Sequence, residues 1–197
     1  CFASAGMFSV LASLGLDVTL IATLHCAIVL ALLAVFGRHL LNYKSPGGEK
    51  AFALPRGIVI VLGSLACITF LVEGAVMDWS GILLTEVKNI DIALAGTGYA
   101  IFSVAMLIMR LLGDKTVQFL GEQRAVIGGS LVTAAGFALV VVVDILYLNA
   151  FAFILIGLGC ANIVPVFYSL LKYQKDMPIS AAVTAITSIG YTGVILG

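Results

Sequence analysis

Three polar side chains inside long apolar runs are this chain's candidates for chemistry. Glu73 and Asp78 are carboxylates in one apolar run, and Asn162 is an amide in the middle of another. Polar and ionisable groups within membrane-length apolar segments are costly and mark functional sites. Removal from water favours the protonated form of a carboxyl group, which is the form that a proton carrier must reach. We therefore take Glu73, Asp78 and Asn162 as candidates for a substrate or proton path.

Both carboxylates also have a structural alternative. A helix that begins at Gly57 brings Glu73 about 24 Å along its axis, in the outer half of the hydrocarbon. Glu73 can pair there with a neighbouring helix instead of carrying a proton. Asp78 lies beside Trp79, whose indole suits the boundary between lipid and water, so Asp78 can be a solvated helix end. The sequence leaves these alternatives open.

A proline follows the amide candidate by three residues. Pro165 cannot donate a hydrogen bond to the carbonyl of Ala161, so the sequence predicts a helix kink beside Asn162. Asn162 can satisfy freed backbone groups, line a cavity, or hold two helices together. A binding role and a packing role are both consistent with this position.

An acid flanked by basic residues and glycines lies between two of the apolar runs. The members of this pattern are Arg110, Gly113, Asp114, Lys115, Gly121 and Arg124. An acid at a tight turn can accept hydrogen bonds from helix N-termini and Arg side chains. The pattern predicts a conformational latch centred on Asp114.

Long apolar runs are the elements that must position these residues. The chain of 197 residues is 62% hydrophobic and 10% charged, with a mean hydropathy of +1.20, which excludes an ordinary soluble domain. The runs cover residues 18–37, 57–84, 92–112, 125–143, 150–171 and 179–197. Each approaches or exceeds the roughly 20 residues that cross a bilayer as a helix. The sequence predicts an all-α, polytopic transmembrane helix bundle. Since the first fourteen residues are also apolar and do not begin with Met, we expect a fragment of a longer protein.

Basic residues divide the gaps between these runs into two kinds. Nine of the ten Lys and Arg residues fall in or beside the gaps 38–56, 113–124 and 172–178, whereas Lys88 lies in an intervening gap. The positive-inside rule predicts that those three loops are cytoplasmic and that Lys88 faces the opposite side. The gap 38–56 is the longest and contains Pro46 and two glycines, so it is the predicted linker between membrane domains 1–37 and 57–197.

Other site chemistries find little support in the sequence. The formal net charge is zero, which gives no basic surface for nucleic acid. The four cysteines lie in apolar runs without metal-like spacing, and we predict no metal site and no cofactor. The lipid bilayer is the one partner that composition alone requires.

Several stretches resemble the major facilitator superfamily of secondary transporters. The pattern around Asp114 resembles the loop motif that follows the second and eighth helices of that family. Residues 157–165 with Ser169 resemble its tenth helix, and residues 190–197 resemble part of its eleventh. Residues 73–80 resemble the seventh helix of an ill-characterised bacterial inner-membrane branch. On this resemblance the chain covers the end of helix 5, helix 6, the central cytoplasmic linker, helices 7 to 10 and most of helix 11.

The resemblance implies a function in transport. It implies a multi-pass carrier of the bacterial inner membrane that works by alternating access, with the full-length monomer as the functional unit. No ATP-binding motif is visible, so we expect an ion gradient, most simply H⁺, to drive a small, sugar-like or metabolite-like solute. The alternatives are drug efflux, or a membrane sensor or assembly subunit that keeps the fold without transport. No enzyme is implied.

Overall fold

A computed structural model describes residues 11, 17–40 and 54–197, and these residues form helices and turns without a strand. The chain divides into two compact units, Cys1–Glu49 and Lys50–Gly197. In the first unit, helix α1 spans Val18–Leu40. The apolar segment before Gly15 lies, apart from Leu11, outside the described residues, as does most of the predicted 38–56 linker, so both stay predictions.

The second unit contains seven α-helices in its described residues. They are α2 Ile58–Ile82, α3 Thr97–Leu111, α4 Gly113–Leu120, α5 Glu122–Val142, α6 Leu146–Cys160, α7 Ile163–Leu170 and α8 Ile179–Leu196. A π-helical turn, Leu83–Val87, extends α2, and short 3-10 turns cover Ile92–Leu94 and Leu171–Tyr173. The predicted all-α fold is confirmed.

Six helical segments in the described residues are long and apolar enough to cross a membrane. They are Thr19–Gly37, Ile58–Val87, Ile92–Leu111, Glu122–Val142, Leu146–Tyr173 and Ile179–Leu196. Large apolar side chains such as Leu131 and Val142 are exposed along them, as expected for helices that face lipid or further helices. These spans match the six apolar runs of the sequence. The segment 113–124, predicted as a loop, differs because its residues Gly113–Leu120 form α4.

Glycines lie where the helices of the second unit cross. A methyl group on Gly129 of α5 would approach the Gly159 carbonyl of α6 to 2.6 Å, and one on Gly157 would approach the Phe102 carbonyl of α3 to 2.5 Å. A methyl group on Gly74 of α2 would lie 3.0 Å from the Val194 carbonyl of α8. Because lipid provides no hydrophobic drive between helices, close backbone approach is a main source of their attraction. These crossings set the positions of α2, α3 and α6 around the candidate site.

Two apolar clusters form the core of this unit. The first joins α2, α3, α5 and α6 through residues such as Val76, Phe102, Phe153 and Ile156. The second joins the start of α2 to α7 and α8 through Val59, Leu62, Phe167, Ala182 and Ile186. Along α2, the buried members of the two clusters end at Ala66 and resume at Val76. The candidate Glu73 lies in the interval between them.

Charged groups pair at both ends of the bundle. Lys88, after α2, binds Asp144 between α5 and α6 at 2.8 Å. Glu122, at the start of α5, binds Lys172 after α7 at 3.1 Å. Because α5 runs from Glu122 to Val142, these two ion pairs lie at opposite ends of that helix. Loops predicted to lie on the same side of the membrane therefore pair with each other, which agrees with the alternating topology behind the predicted orientation.

Cysteine labelling of the full-length protein in intact cells tests that orientation. We expect a membrane-impermeant thiol reagent added outside to modify position 86 and to spare position 115 in cysteine-free backgrounds. Glu86 is the probe site instead of Lys88 because it is exposed and lies outside the ion pair with Asp144. Labelling of position 115 with protection of position 86 would invert the predicted topology.

Candidate functional site

The central feature of the site is an ion pair between α2 and α3. Arg110 Nη2 donates to Glu73 Oε1 at 3.3 Å. The span Ile58–Val87 has 30 residues, and Glu73 lies near its middle. Its side chain is 19% exposed, whereas that of Arg110 is 44% exposed. The ion pair therefore lies near the middle of the α2 span, and its guanidinium is more exposed than its carboxylate.

The direction of α3 explains how Arg110 reaches a group near mid-span. Arg110 lies in the last turn of α3, and not in the turn that follows. Side chains on a helix lean toward its N-terminal end, so a long side chain near the C-terminus extends back along the span. Arg110 therefore extends toward Glu73 in α2.

A buried thiol lies beside this ion pair. Cys160, the last residue of α6, is 1% exposed and lies close enough to Glu73 and Arg110 for their charges to act on it. Its Sγ is 3.5 Å from Thr133 Oγ1 of α5, and that hydroxyl donates to the Gly129 carbonyl at 2.9 Å. Among the described residues, Arg110 is the ion-pair partner of Glu73, and the Cys160 thiol lies near the pair.

The helix that carries the amide candidate is interrupted at that residue. Helix α6 ends at Cys160, α7 begins at Ile163, and Asn162 is the N-cap residue of α7. The break includes Ala161. Pro165 has no N–H to donate to the Ala161 carbonyl, so the helical hydrogen bond between these two residues cannot form. Asn162 is 7% exposed, and its Nδ2 has no hydrogen-bond partner in the described part of the chain. A buried donor of this kind is a costly feature to keep without a function.

A second helix bends at the same level. Helices α3 and α4 are joined through Leu112, whose φ and ψ of −93° and −1° remain helical. Gly113, the first residue of α4, is buried, and a methyl group there would lie 2.5 Å from Asn162 Oδ1. The two helix interruptions therefore touch, and Arg110 lies one turn before the contact. The structure brings Glu73, Arg110, Gly113 and Asn162 into one neighbourhood.

The other predicted site residues lie elsewhere. Asp78 is exposed and forms no hydrogen bond or ion pair with described residues, while the neighbouring Trp79 donates from Nε1 to the Gly197 carbonyl at 2.7 Å. Asp114 and Lys115 are exposed in the first turn of α4, and Arg124 is exposed in α5. Within the described ranges, Asp114 has no ion-pair partner.

A glycine and an acid lie at the start of α5, at the end of the predicted 113–124 loop. Gly121 has a φ of 84°, a value that a residue with a side chain adopts only with strain. Glu122, which sequence reasoning left out of the site, accepts hydrogen bonds from Ser169 at 3.0 Å and Lys172 at 3.1 Å. The sequence did contain a signal for this ion pair: Glu122 and Lys172 lie in two successive loops that are predicted to be cytoplasmic. These bonds join α5 to the end of α7.

No group of three or more His, Cys, Asp and Glu residues capable of holding a metal ion occurs among the residues that the structure describes. The polar groups that the structure places at the site are the Glu73 carboxylate, the Arg110 guanidinium and the Asn162 amide.

Known proteins similar to this chain are membrane proteins, and two of them are named as transporters. An uncharacterized MFS-type transporter of Yersinia pestis is 37% identical over 194 residues, which cover 98% of this chain and 50% of the relative. Membrane protein MosC of Rhizobium meliloti is 28% identical over 71% of this chain and 34% of its own length. An uncharacterized transporter, y4wD, of Sinorhizobium fredii is 29% identical over 76% of this chain and 40% of its own length.

The chain spans half or less of the length of these curated relatives. No family model matches it, and no solved structure gives a significant match.

Proposed function

Because this chain is related over nearly its whole length to a transporter of the major facilitator superfamily, we propose that the full-length protein is a proton-coupled carrier of a small solute. In this proposal two helical halves alternate access to a solute site near mid-membrane. Proton coupling is assigned to Glu73 in its ion pair with Arg110.

The ion pair near mid-span is the observation that carries the proposal. Moving an ion pair out of water costs desolvation free energy that its attraction does not reliably return, so stability alone is a weak reason to keep one within a membrane-length helix. The pair also lies between two apolar clusters and beside two helix interruptions, where a change in protonation can alter helix positions. Coupled transport requires that combination of a titratable group and movable helices.

The alternative is a sensor or assembly subunit with the same fold. Such a protein would bind a ligand without moving it, and it would need the ion pair only as a structural contact. Drug efflux remains the second possibility within the transporter class. The exposed surface of Arg110 favours a polar solute over an apolar drug.

Reconstitution of the full-length protein separates these functions. We expect proteoliposomes with an imposed pH gradient to accumulate at least one solute from a panel of sugars, amino acids and organic acids above its external concentration. Empty liposomes supply the control. Binding of a solute that never crosses the membrane, seen as thermal stabilisation without uptake, would favour the sensor.

Asp114→Asn is predicted to slow transport while leaving expression nearly unchanged. The acid is proposed to stabilise one conformation through charge-assisted hydrogen bonds, each contributing about 1.5 kcal/mol or more. We expect a roughly tenfold loss of uptake rate, since about 1.4 kcal/mol corresponds to a factor of ten. Initial uptake rates normalised to protein in the vesicles measure the effect.

Glu86→Gln is the matched control, because Glu86 is an exposed acid without an ion-pair partner among the described residues. We expect this variant to transport at the rate of the wild type. A wild-type rate for Asp114→Asn, or its failure to insert, would remove the latch hypothesis.

A further inference from the structure

The guanidinium of Arg110 has more hydrogen-bonding capacity than the described residues use. A guanidinium carries five N–H donors, and one contact, from Nη2 to Glu73 at 3.3 Å, is made to a carboxylate. The side chain is 44% exposed, so Glu73 does not enclose it. A planar fork of donors with one side open is suited to a bidentate oxyanion.

A second unused donor lies on the neighbouring helix. Asn162 Nδ2 is buried and has no partner in the described ranges, and the Asn162 side chain rests on Gly113, one turn along from Arg110. Asn162 is also the N-cap residue of the eight-residue helix α7, whose N-terminal end carries partial positive charge. Asn162 and the N-terminal end of α7 therefore lie together where α6 is interrupted, and Arg110 lies one turn before Gly113, the residue that Asn162 contacts.

We propose that Arg110 and Asn162 bind an oxyanion of the transported solute, either a carboxylate or a phosphate group. This inference rests on the proposed transport function and adds the chemical class of the substrate. A sugar acid, an organic acid or a phosphorylated metabolite carries such a group, whereas a neutral sugar or an apolar drug does not.

Glu73 competes with the solute for Arg110. While Glu73 is ionised, its Oε1 accepts a hydrogen bond from the Arg110 guanidinium. A proton taken from water neutralises Glu73, and the Arg110 donor then becomes available to the solute. The charged and titratable groups around Glu73 are Arg110 from α3 and Cys160 from α6, with the Thr133 hydroxyl of α5 against the thiol. From α8, the nearest titratable group is Tyr191, which stacks on Phe70 one turn before Glu73. Binding of the anion is therefore tied to uptake of one proton.

Thermal unfolding of the purified full-length protein tests the site with defined probes. The probes are acetate, inorganic phosphate and glycerol, each compared with NaCl at equal ionic strength and measured at pH 5.5 and 7.5. We expect saturable stabilisation by acetate or by phosphate, stronger at the lower pH, and none by glycerol. Acetate alone would assign a carboxylate, and phosphate alone a phosphate group.

Variants separate the site from general anion effects. Arg110→Gln should abolish the stabilisation, and Asn162→Ala should weaken probe binding roughly tenfold, the usual size of one hydrogen bond to a charged group. Arg56→Gln, which changes an exposed arginine just before α2, should bind the probes as the wild type does. Because a neutral amide binds Arg110 more weakly than a carboxylate does, Glu73→Gln should bind acetate roughly tenfold more tightly than the wild type and should lose the pH dependence that comes from Glu73. The double variant Arg110→Gln with Glu73→Gln removes both charges and covers the case in which Arg110→Gln alone does not fold.

Two results would overturn the inference. One is a wild type that no anion stabilises beyond NaCl. The other is equal anion binding by the wild type and by the Arg110→Gln protein or the double variant. Proton-driven accumulation of a neutral solute would support the transport function and contradict the oxyanion site. Anion binding without any uptake would support the oxyanion site and contradict the transport function.

Discussion

Gly129→Ala is expected to destabilise the full-length protein by about 1 to 3 kcal/mol, the usual cost of forcing extra atoms into a packed crossing. The new methyl group would lie 2.6 Å from the Gly159 carbonyl of α6, and neither atom can move without its helix backbone. Relief requires α5 and α6 to separate, which also loosens the Cys160 side of the candidate site. Thermal unfolding in detergent and the yield of monodisperse protein measure the effect.

Gly128→Ala is the matched control on the adjacent residue of the same helix. A methyl group on Gly128 meets no atom within 4 Å. Alanine is favoured over glycine in a helix by up to about 1 kcal/mol, so this variant should be as stable as the wild type or slightly more stable. Equal stability of the Gly128 and Gly129 variants would show that the close crossing of α5 and α6 does not hold the bundle together.

The spans were predictable because bilayer thickness fixes their length. Apolar runs of about 20 residues can cross only as helices, since every backbone group must be satisfied within the segment. The six runs read from the sequence correspond to the six spans, with end differences of a few residues, as at Leu146–Tyr173. The partner of each glycine at a crossing depends on helix rotation, which hydropathy does not encode. Gly129 and Gly128 are indistinguishable in sequence, and only the structure places one against α6.

The partner of Glu73 was not predictable from sequence. Arg110 was grouped with the turn around Asp114 because it ends an apolar run and lies close to other basic residues. Its contact with Glu73 depends on the lean of a long side chain and on the packing of α3 against α2. Neither property can be recognised from the residues next to Arg110 or Glu73 in the sequence. The short helix α4 was missed for a related reason, since its eight residues alternate too briefly between polar and apolar types to distinguish a helix from a turn.

Glu73→Gln is expected to abolish solute accumulation driven by a pH gradient while downhill exchange continues. Glutamine keeps the shape of the side chain and can still accept from Arg110, but it cannot take up a proton. The solute site would remain and the proton-linked step would be lost. If Glu73 serves only as a structural partner of Arg110, the same variant should lower thermal stability and leave coupling intact.

Asp78→Asn is the matched control for this variant. Asp78 lies five residues farther along the same helix and is exposed, without an ion-pair partner in the described ranges. We expect its neutralisation to leave both accumulation and stability at the level of the wild type. Loss of coupling in Asp78→Asn with coupling retained in Glu73→Gln would transfer the proposed role to Asp78.

The most direct test compares accumulation with counterflow in one preparation of proteoliposomes containing the full-length wild type or Glu73→Gln. Counterflow reports solute binding and helix movement without net energy input, and accumulation under an imposed pH gradient reports coupling. We predict both activities in the wild type, and counterflow without accumulation in Glu73→Gln. Unchanged gradient dependence in a well-folded Glu73→Gln protein would contradict the assignment of proton coupling to this ion pair.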